Sequence, residues 1–414
     1  MPTPEIVVTG IGVISPIGRN VDQVLDALLH SRSGVHAFAS DDLSRPFPIA
    51  SVEGGFEQEF TRLELPFYDR TTRLALLAAR QAAENAGIVN YSTFGERAGI
   101  FYGTVRGGGA TEWEGLRHFY AGRKTAKPYV IMGCMANAAA SFISIKHQIL
   151  GVTACHTEAC SSSGSAIADA CRQIRTGELD IALAGGAEAP LAPQFLSAWD
   201  GLRALAEVDA VDASRSCKPF DLTRSGLVLG EGSVFFVLEN AEHARARGAT
   251  VYGTIEGWGV ASDAHHIGAP HARGQISAMR AALRTAGVQP GQLDYVNAHA
   301  TATRGGDPVE VDALRQVLGE AAEQVPVSGT KALHGHMLGA ASAMELLVCL
   351  LAMRNDFVPP TAHLAELDPD CAGLQHVREL RRGQSVRRSL SLSAGFGGVN
   401  AALVVRAGDA PPAR

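Results

Sequence analysis

Residues 5–14, EIVVTGIGVI, are apolar almost throughout, interrupted by Thr9, Gly10 and Gly12. A run of this kind predicts a buried strand entering a glycine-punctuated turn, and a helix over 21–29 follows it. Apolar residues at helical spacing then predict a helix from 73 to 86. It stops at Gly87, the residue type that takes the left-handed conformation at a helix C-terminus. An apolar strand is expected over 98–102, and a β-prone run leads into an Ala-rich helix reaching Ala170. Strands follow over 180–186, 233–238 and 295–298, and two β runs flank a Gly-rich turn within 389–405. Alternating strands and helices predict a layered α/β architecture.

The pattern recurs. AARQAAENAGI at 78–88 resembles AMRAALRTAGV at 278–288, and GCMANAA at 133–139 resembles GHMLGAA at 335–341 at nearly the same offset. Two matches in the same order imply a duplicated fold, with halves over 1–251 and 252–414. The second match aligns Cys134 with His336.

Composition narrows the partners. The 414 residues are 46% apolar with a net charge of −6, and the pI is near 6.2. These values argue against a nucleic acid or an anionic membrane recognised through bulk charge. The apolar stretch from Leu346 to Met353 is far shorter than the ~20 residues a membrane helix needs. The first residues carry no basic segment followed by a long apolar one, so the expected location is cytoplasmic. The Pro-containing tail, 407–414, is expected to fray. The seven cysteines are scattered and odd in number, without a close CxxC pair, which disfavours both a disulfide framework and a zinc cluster. Asp263, His265 and His266 share a polar loop but lack zinc-like spacing, and no metal is expected.

Three residues suggest chemistry. Cys160, in TEACSSSG, opens a helix, where unpaired N–H groups and the helix dipole favour thiolate over thiol. His299 ends the 295–298 strand, and His336 precedes an Ala-rich helix. A thiol can hold an acyl group while neutral imidazoles donate to a developing enolate oxygen, so the set suits acyl transfer followed by carbanion chemistry.

With these residues in place, the chain resembles the elongating β-ketoacyl-acyl carrier protein synthases of the thiolase superfamily, found in fatty-acid and type II polyketide pathways. The matching segments are 7–16, Cys160 with its helix, 184–188, 218–231, 297–307, 329–345 and 395–400. The resemblance implies a thiolase-like fold, two duplicated halves in five αβαβα layers. It implies decarboxylative condensation of a Cys160-bound acyl chain with malonyl-acyl carrier protein, giving 3-oxoacyl carrier and CO2. His299 and His336 would assist decarboxylation, and Lys331 would support them in a network with Glu345. The N–H groups of Cys160 and Phe396 would hold the oxyanion. Thr301 and Thr303 would bind the phosphopantetheine arm, which belongs to the carrier, so no cofactor of the enzyme's own is implied. Phe396 and Gly397 would lie in a mobile gate, and Asp307 would brace the turn after His299. Arg70, Arg73 and Arg203 are expected to face the acidic carrier protein. Dimerisation through the strand before the nucleophile is implied, with a second copy or with a ketosynthase-like chain-length factor.

The sequence also departs from the family pattern. Ala300 and Arg304 replace the usual Gly and Pro, and His334 replaces a Ser or Thr, where it could perturb the pKa of His336. Ser161, Ser162 and Ser163 are expected to make the floor around the nucleophile polar. Arg106 stands where relatives carry an apolar residue at the partner's acyl pocket, which suggests short, polar or unsaturated acyl groups in a specialised pathway. A degradative thiolase would need a second cysteine near Phe396. The alternative from another class is a non-catalytic chain-length-factor-like subunit, which would lack the nucleophile.

Overall fold

The computed structural model describes residues 4–88, 90–123, 125 and 127–408; residues 1–3 and the tail beyond Gly408, on which two of the expectations fall, lie outside them. Two series of elements follow one plan. The first runs β1 (Ile6–Ile14), α1 (Arg70–Asn85), β2 (Ala98–Gly103), α2 (Ala138–His147), β3 (Thr153–His156), α3 (Ser162–Thr176), β4 (Ile181–Glu188) and β5 (Gly232–Asn240). The second runs β6 (Gly253–Ser262), α4 (Ala272–Ala286), β7 (Tyr295–Asn297), α5 (Gly306–Leu318), β8 (Pro326–Ser328), α6 (Ala341–Arg354), β9 (Arg388–Ala394) and β10 (Val399–Ala407). The expected helix over 21–29 is present as Val21–Leu29.

The strands form one sheet in the order β8-β7-β9-β10-β6-β1-β5-β4-β2-β3, with Gln375–His376 added at the β8 edge. The order reads the same from either end, by series. In each series the two strands flanking the first crossover partner are parallel to it, and the last strand is antiparallel to its neighbours. β1 and β6 join the halves through Ile6–Val8 against Gly253–Ile255. α3 and α6 pack on each other and on strands of both halves, while α1 and α2 cover one outer face and α4 and α5 the other. The result is five layers, α/β/α/β/α. α6 is buried over every residue from Ala341 to Met353, so its apolar run is that of a core helix enclosed on all sides.

The duplication is visible at contact level. A Cβ on Gly10 or Gly12 of β1 would lie 2.3 Å from the Ala82 carbonyl oxygen or 2.0 Å from that of Ala78. On β6, Gly257 and Gly259 meet the carbonyls of Ala282 and Ala278 in the same way, each at 2.1 Å. The Ala-rich repeats and the two G-x-G strands are therefore one packing device used twice, in which neither helix nor strand leaves room for a side chain. The second sequence match fails. α2 corresponds to α5, and α6 corresponds to α3, so the turn holding His336 corresponds to the turn holding Cys160 rather than to Cys134. Gly- and Ala-rich helix starts look alike because they share small residues, whatever their place in the fold.

Candidate active site

The turn after β3 and the turn after β8 converge between the halves. Ala159–Ser161 is a single 3₁₀ turn ahead of α3, and Ala159 takes a positive φ of 52° that lifts Cys160 toward the cavity. His336 is fixed through its backbone: its N–H donates to the Val228 carbonyl at 2.7 Å, and its carbonyl accepts from Gly230 N at 2.9 Å. Its Nε2 lies 2.9 Å from Cys160 Sγ. The His299 ring meets that of His336 edge to face, with centroids 5.2 Å apart. One ligand-capable atom from each of Cys160, His299 and His336 falls within 4.8 Å of the others, and all three residues are buried.

Lys331, 1% exposed, places its ammonium among Glu345, the His299 carbonyl and His299 Nδ1, the last at 3.3 Å. Three donors meet three acceptors. An ammonium can only donate, so His299 Nδ1 accepts and the neutral ring carries its proton on Nε2. Glu345 takes a second hydrogen bond from Ser393 Oγ at 2.7 Å. Burial, then the charge on Lys331, hold both histidines well below the usual imidazole range, so both are neutral at pH 7. His334 is also buried, its ring between Thr330 Oγ1 and the Gly335 carbonyl, and it adds a minor lowering to His336.

The thiol departs from expectation. Cys160 sits two residues ahead of α3, and burial pushes it up to about 11, against smaller opposing effects from Lys331 and the Phe396 N–H. Desolvation of the thiolate outweighs the helix end here. The resting pair is thus thiol and neutral imidazole. Alkylation of Cys160 by iodoacetamide is expected to show no titration step between pH 6 and 9 and to climb toward pH 11. A step near pH 6–7 would reveal an imidazolium–thiolate pair instead.

The Phe396 N–H is directed at Cys160, and its ring stacks on Trp199 with centroids 5.3 Å apart and remains part exposed. Gly397 and Gly398 follow at φ 81° and 77°, values that ordinary side chains disfavour. Asp263 and Asn400 brace this loop: Asn400 Nδ2 donates to Asp263 Oδ1 at 2.8 Å and to the Gly398 carbonyl at 2.9 Å. Asp263, His265 and His266 do not converge; among the described residues the one group close enough to bracket an ion is the reacting trio itself.

A cavity of about 460 Å³ leads from Cys160, His299 and His336 past Thr301, Thr303 and Phe396 to Arg203, His266 and Arg304 at its mouth. Thr301 and Thr303 face each other at 3.1 Å between hydroxyls. Ala300 and Ala302 take φ of 43° and 62°, the conformation for which glycine is ordinarily selected. Asp307 accepts from Phe220 N at 2.8 Å and from backbone N–H groups of Thr303 and Ala302 in the turn after His299.

Other expectations change. Arg70 is spent on buried Glu231 in a two-pronged pair at 2.6 and 2.7 Å, and Arg73 donates to the Tyr68 and Leu65 carbonyls. Of the three expected carrier-facing cations, Arg203 is the one left exposed at the mouth. The three serine hydroxyls turn inward: Ser161 donates to the Glu158 and Val399 carbonyls, Ser162 to those of Thr104 and Ala159, and Ser163 accepts from Ala343 N. They brace the turn and leave the floor apolar. Arg106 lies outside its own chain's cavity, paired with Glu112 at 3.2 Å and lying over the Phe195 ring.

Two positioning groups were not anticipated. Glu310 of α5 is buried and accepts from His299 N and Ala300 N at 2.5 and 2.7 Å; burial raises it to about 8. Arg224 donates to the Thr303 and Arg304 carbonyls at 3.1 and 3.2 Å. Glu310 shares a helical face with Ala313, Leu314 and Val317, and an acid on an apolar stripe was the available signal.

A thiol 2.9 Å from one neutral imidazole and beside a second can carry and transfer an acyl group. The β-ketoacyl synthase N-terminal domain profile matches residues 3–244, and the C-terminal domain profile matches 252–365. The chain belongs to the β-ketoacyl synthase family: it is an acyltransferase that forms 3-oxoacyl thioesters by elongating condensation. It is 36% identical to Nodulation protein E of Rhizobium meliloti, over 97% of this chain and 99% of that protein. It is 35% identical to 3-oxoacyl-[acyl-carrier-protein] synthase 2 of Coxiella burnetii, over 97% and 98%. The structure matches the ishigamide ketosynthase/chain length factor with TM-score 0.89 at 30% identity, covering 98% of this chain and 100% of that one. It matches equally, at 28% identity and the same coverage, a structure described as a type II polyketide synthase acyl-carrier protein in complex with its ketosynthase bound to the hexaketide. Among the described residues no helix is long and apolar enough to cross a membrane.

Proposed function

We propose that Cys160 receives an acyl chain from an acyl carrier protein and that His299 and His336 convert malonyl-carrier into the attacking carbanion. The observation that carries this reading is the 2.9 Å approach of His336 Nε2 to Cys160 Sγ, with His299 beside them. In the first half-reaction Sγ attacks the thioester carbon, and His336 takes the thiol proton and passes it to the carrier sulfur as the tetrahedral adduct collapses and the carrier thiol leaves. The N–H groups of Cys160 and Phe396 receive the oxyanion. In the second, malonyl loses CO2 while N–H donors from the two imidazoles hold the enolate oxygen, and the carbanion displaces the acyl group from Sγ. His299 is pre-set as an Nε2–H donor by Lys331. His336 Nδ1 has no partner among the described residues, so no group behind the ring pins its tautomer. It can accept a proton in one half-reaction and donate in the next.

On this reading Thr301 and Thr303 contact the phosphopantetheine arm, the prosthetic group being the carrier's. Phe396 and Gly397 gate the channel, and the halves divide at 251/252. The chain pairs with a second copy or with a chain-length-factor-like subunit, where Arg106 reaches the partner's acyl pocket. A non-catalytic subunit is disfavoured by the intact trio. Titration with acyl-carrier protein is expected to add one acyl mass, located to the Cys160 peptide. Arg203→Glu is expected to raise KM for the carrier-bound donor roughly five- to tenfold at low salt with kcat unchanged; an unchanged KM would remove Arg203 from carrier docking.

A further inference from the structure

We propose that Gln275 is a substrate-binding residue that accepts a hydrogen bond from an amide N–H of the carrier arm; this rests on the reading of the cavity as the arm's channel. Gln275 lies in the first turn of α4, three, four and seven residues ahead of Ala278, Met279 and Ala282 on that helix's buried face. It occupies a core position, 1% exposed, yet its side chain lines the cavity that holds Cys160. No described group donates to its Oε1, which is buried. Buried side-chain oxygens are ordinarily paired, so an unpaired one on a side chain that lines a channel points to a donor carried by the channel's occupant.

The side chain is held in place. A Cβ on neighbouring Gly274 would lie 2.1 Å from Asp263 Oδ1 and 2.5 Å from Asn400 Nδ2. The start of α4 is therefore pressed against the same pair that braces the Phe396 loop, and cannot draw Gln275 back from the cavity. Such rigidity makes an unpaired oxygen a preorganised acceptor.

The channel's chemistry selects the donor. Its inner end holds the thiol and imidazoles that act on a thioester, and its mouth holds Arg203 and Arg304, suited to a phosphate. Its walls between them include Trp199, Ile267 and Pro270. A slender chain with an apolar stem and a neutral N–H part-way along fits this sequence of surfaces. A secondary amide supplies that N–H without the desolvation cost a cation would bring. Thr301 and Thr303 engage each other's hydroxyls, and Gln275 adds a further acceptor along the channel.

Full-length wild type, Gln275→Met and Gln275→Glu would be acylated at Cys160 with acetyl-pantetheine, which has two amides, and with p-nitrophenyl acetate, which has none. In both, Sγ gains the acetyl group and its proton passes to His336, which hands it on to the departing pantetheine sulfur or, when p-nitrophenolate departs unprotonated, to solvent. Gln275→Met is expected to raise KM for acetyl-pantetheine about tenfold, the scale of one buried hydrogen bond, with an unchanged limiting rate. Its reaction with p-nitrophenyl acetate should match wild type, and Gln275→Glu, which keeps an acceptor, should stay within about threefold for both donors. An unchanged acetyl-pantetheine KM in Gln275→Met, or an equal loss with both donors, would overturn the proposal. A wild type acylated by p-nitrophenyl acetate but not by acetyl-pantetheine would overturn the channel reading, and the proposal with it.

Discussion

Cys160→Ala is expected to lose condensation by on the order of 10⁴-fold or more, the scale on which removal of a covalent nucleophile acts, while still releasing CO2 from malonyl-carrier. The two outcomes separate because the groups assigned to decarboxylation do not include the thiol. His299 receives its tautomer from Lys331, and Lys331 is held by Glu345, none of which contacts Sγ in an ordering role. His336 is fixed by backbone bonds to Val228 and Gly230 that the substitution leaves in place. The methyl of alanine occupies less volume than the thiol, and the turn remains braced by Ser161 and Ser162. Carboxyl-labelled malonyl-carrier would report CO2, and chromatography of the carrier would report the condensed product. Loss of both in the alanine variant would mean that the thiol takes part in decarboxylation.

Lys331→Met is the second large effect. Lys331 and Glu345 form a fully buried pair, and removing one partner of such a pair costs about 3–5 kcal/mol because the other charge is left unpaired. Burial already raises Glu345 against the lowering charge of Lys331, so in the variant it rises further and its protonation spares part of that cost. Condensation should fall about 10²–10⁴-fold, since His299 loses the donor that fixes its proton on Nε2. The double variant Lys331→Met, Glu345→Leu should recover most of the stability in urea unfolding and none of the rate. Recovery of both would reduce Lys331 to a structural lysine.

Much of this molecule is legible in its sequence, for identifiable reasons. The strands at 6–14, 98–103 and 181–188 are buried on both faces, and near-continuous runs of apolar and small residues announce that. Gly87 and Gly287 end their helices at positive φ, as a terminal glycine does. Cys160, His299 and His336 sit at strand ends and helix starts, where local pattern changes sharply. What escaped is set by distance along the chain. Arg70 looked like a free surface cation because its partner, Glu231, is 161 residues away. Glu310 and Gln275 lie inside helices, where a polar residue is read as facing solvent unless its face is traced. The resting state of Cys160 also escaped, because burial, which decides it, is a property of the assembled halves and not of the helix that follows the thiol.

In the proposed reaction one carbon–carbon bond forms for each malonyl decarboxylated, at an acyl group carried by Cys160. Single-turnover mixing of enzyme pre-acylated at Cys160 with carboxyl-labelled malonyl-carrier tests it most directly. CO2, 3-oxoacyl-carrier and free Cys160 should appear together in equal amounts; product formed while the acyl group remains on Cys160 would contradict the account.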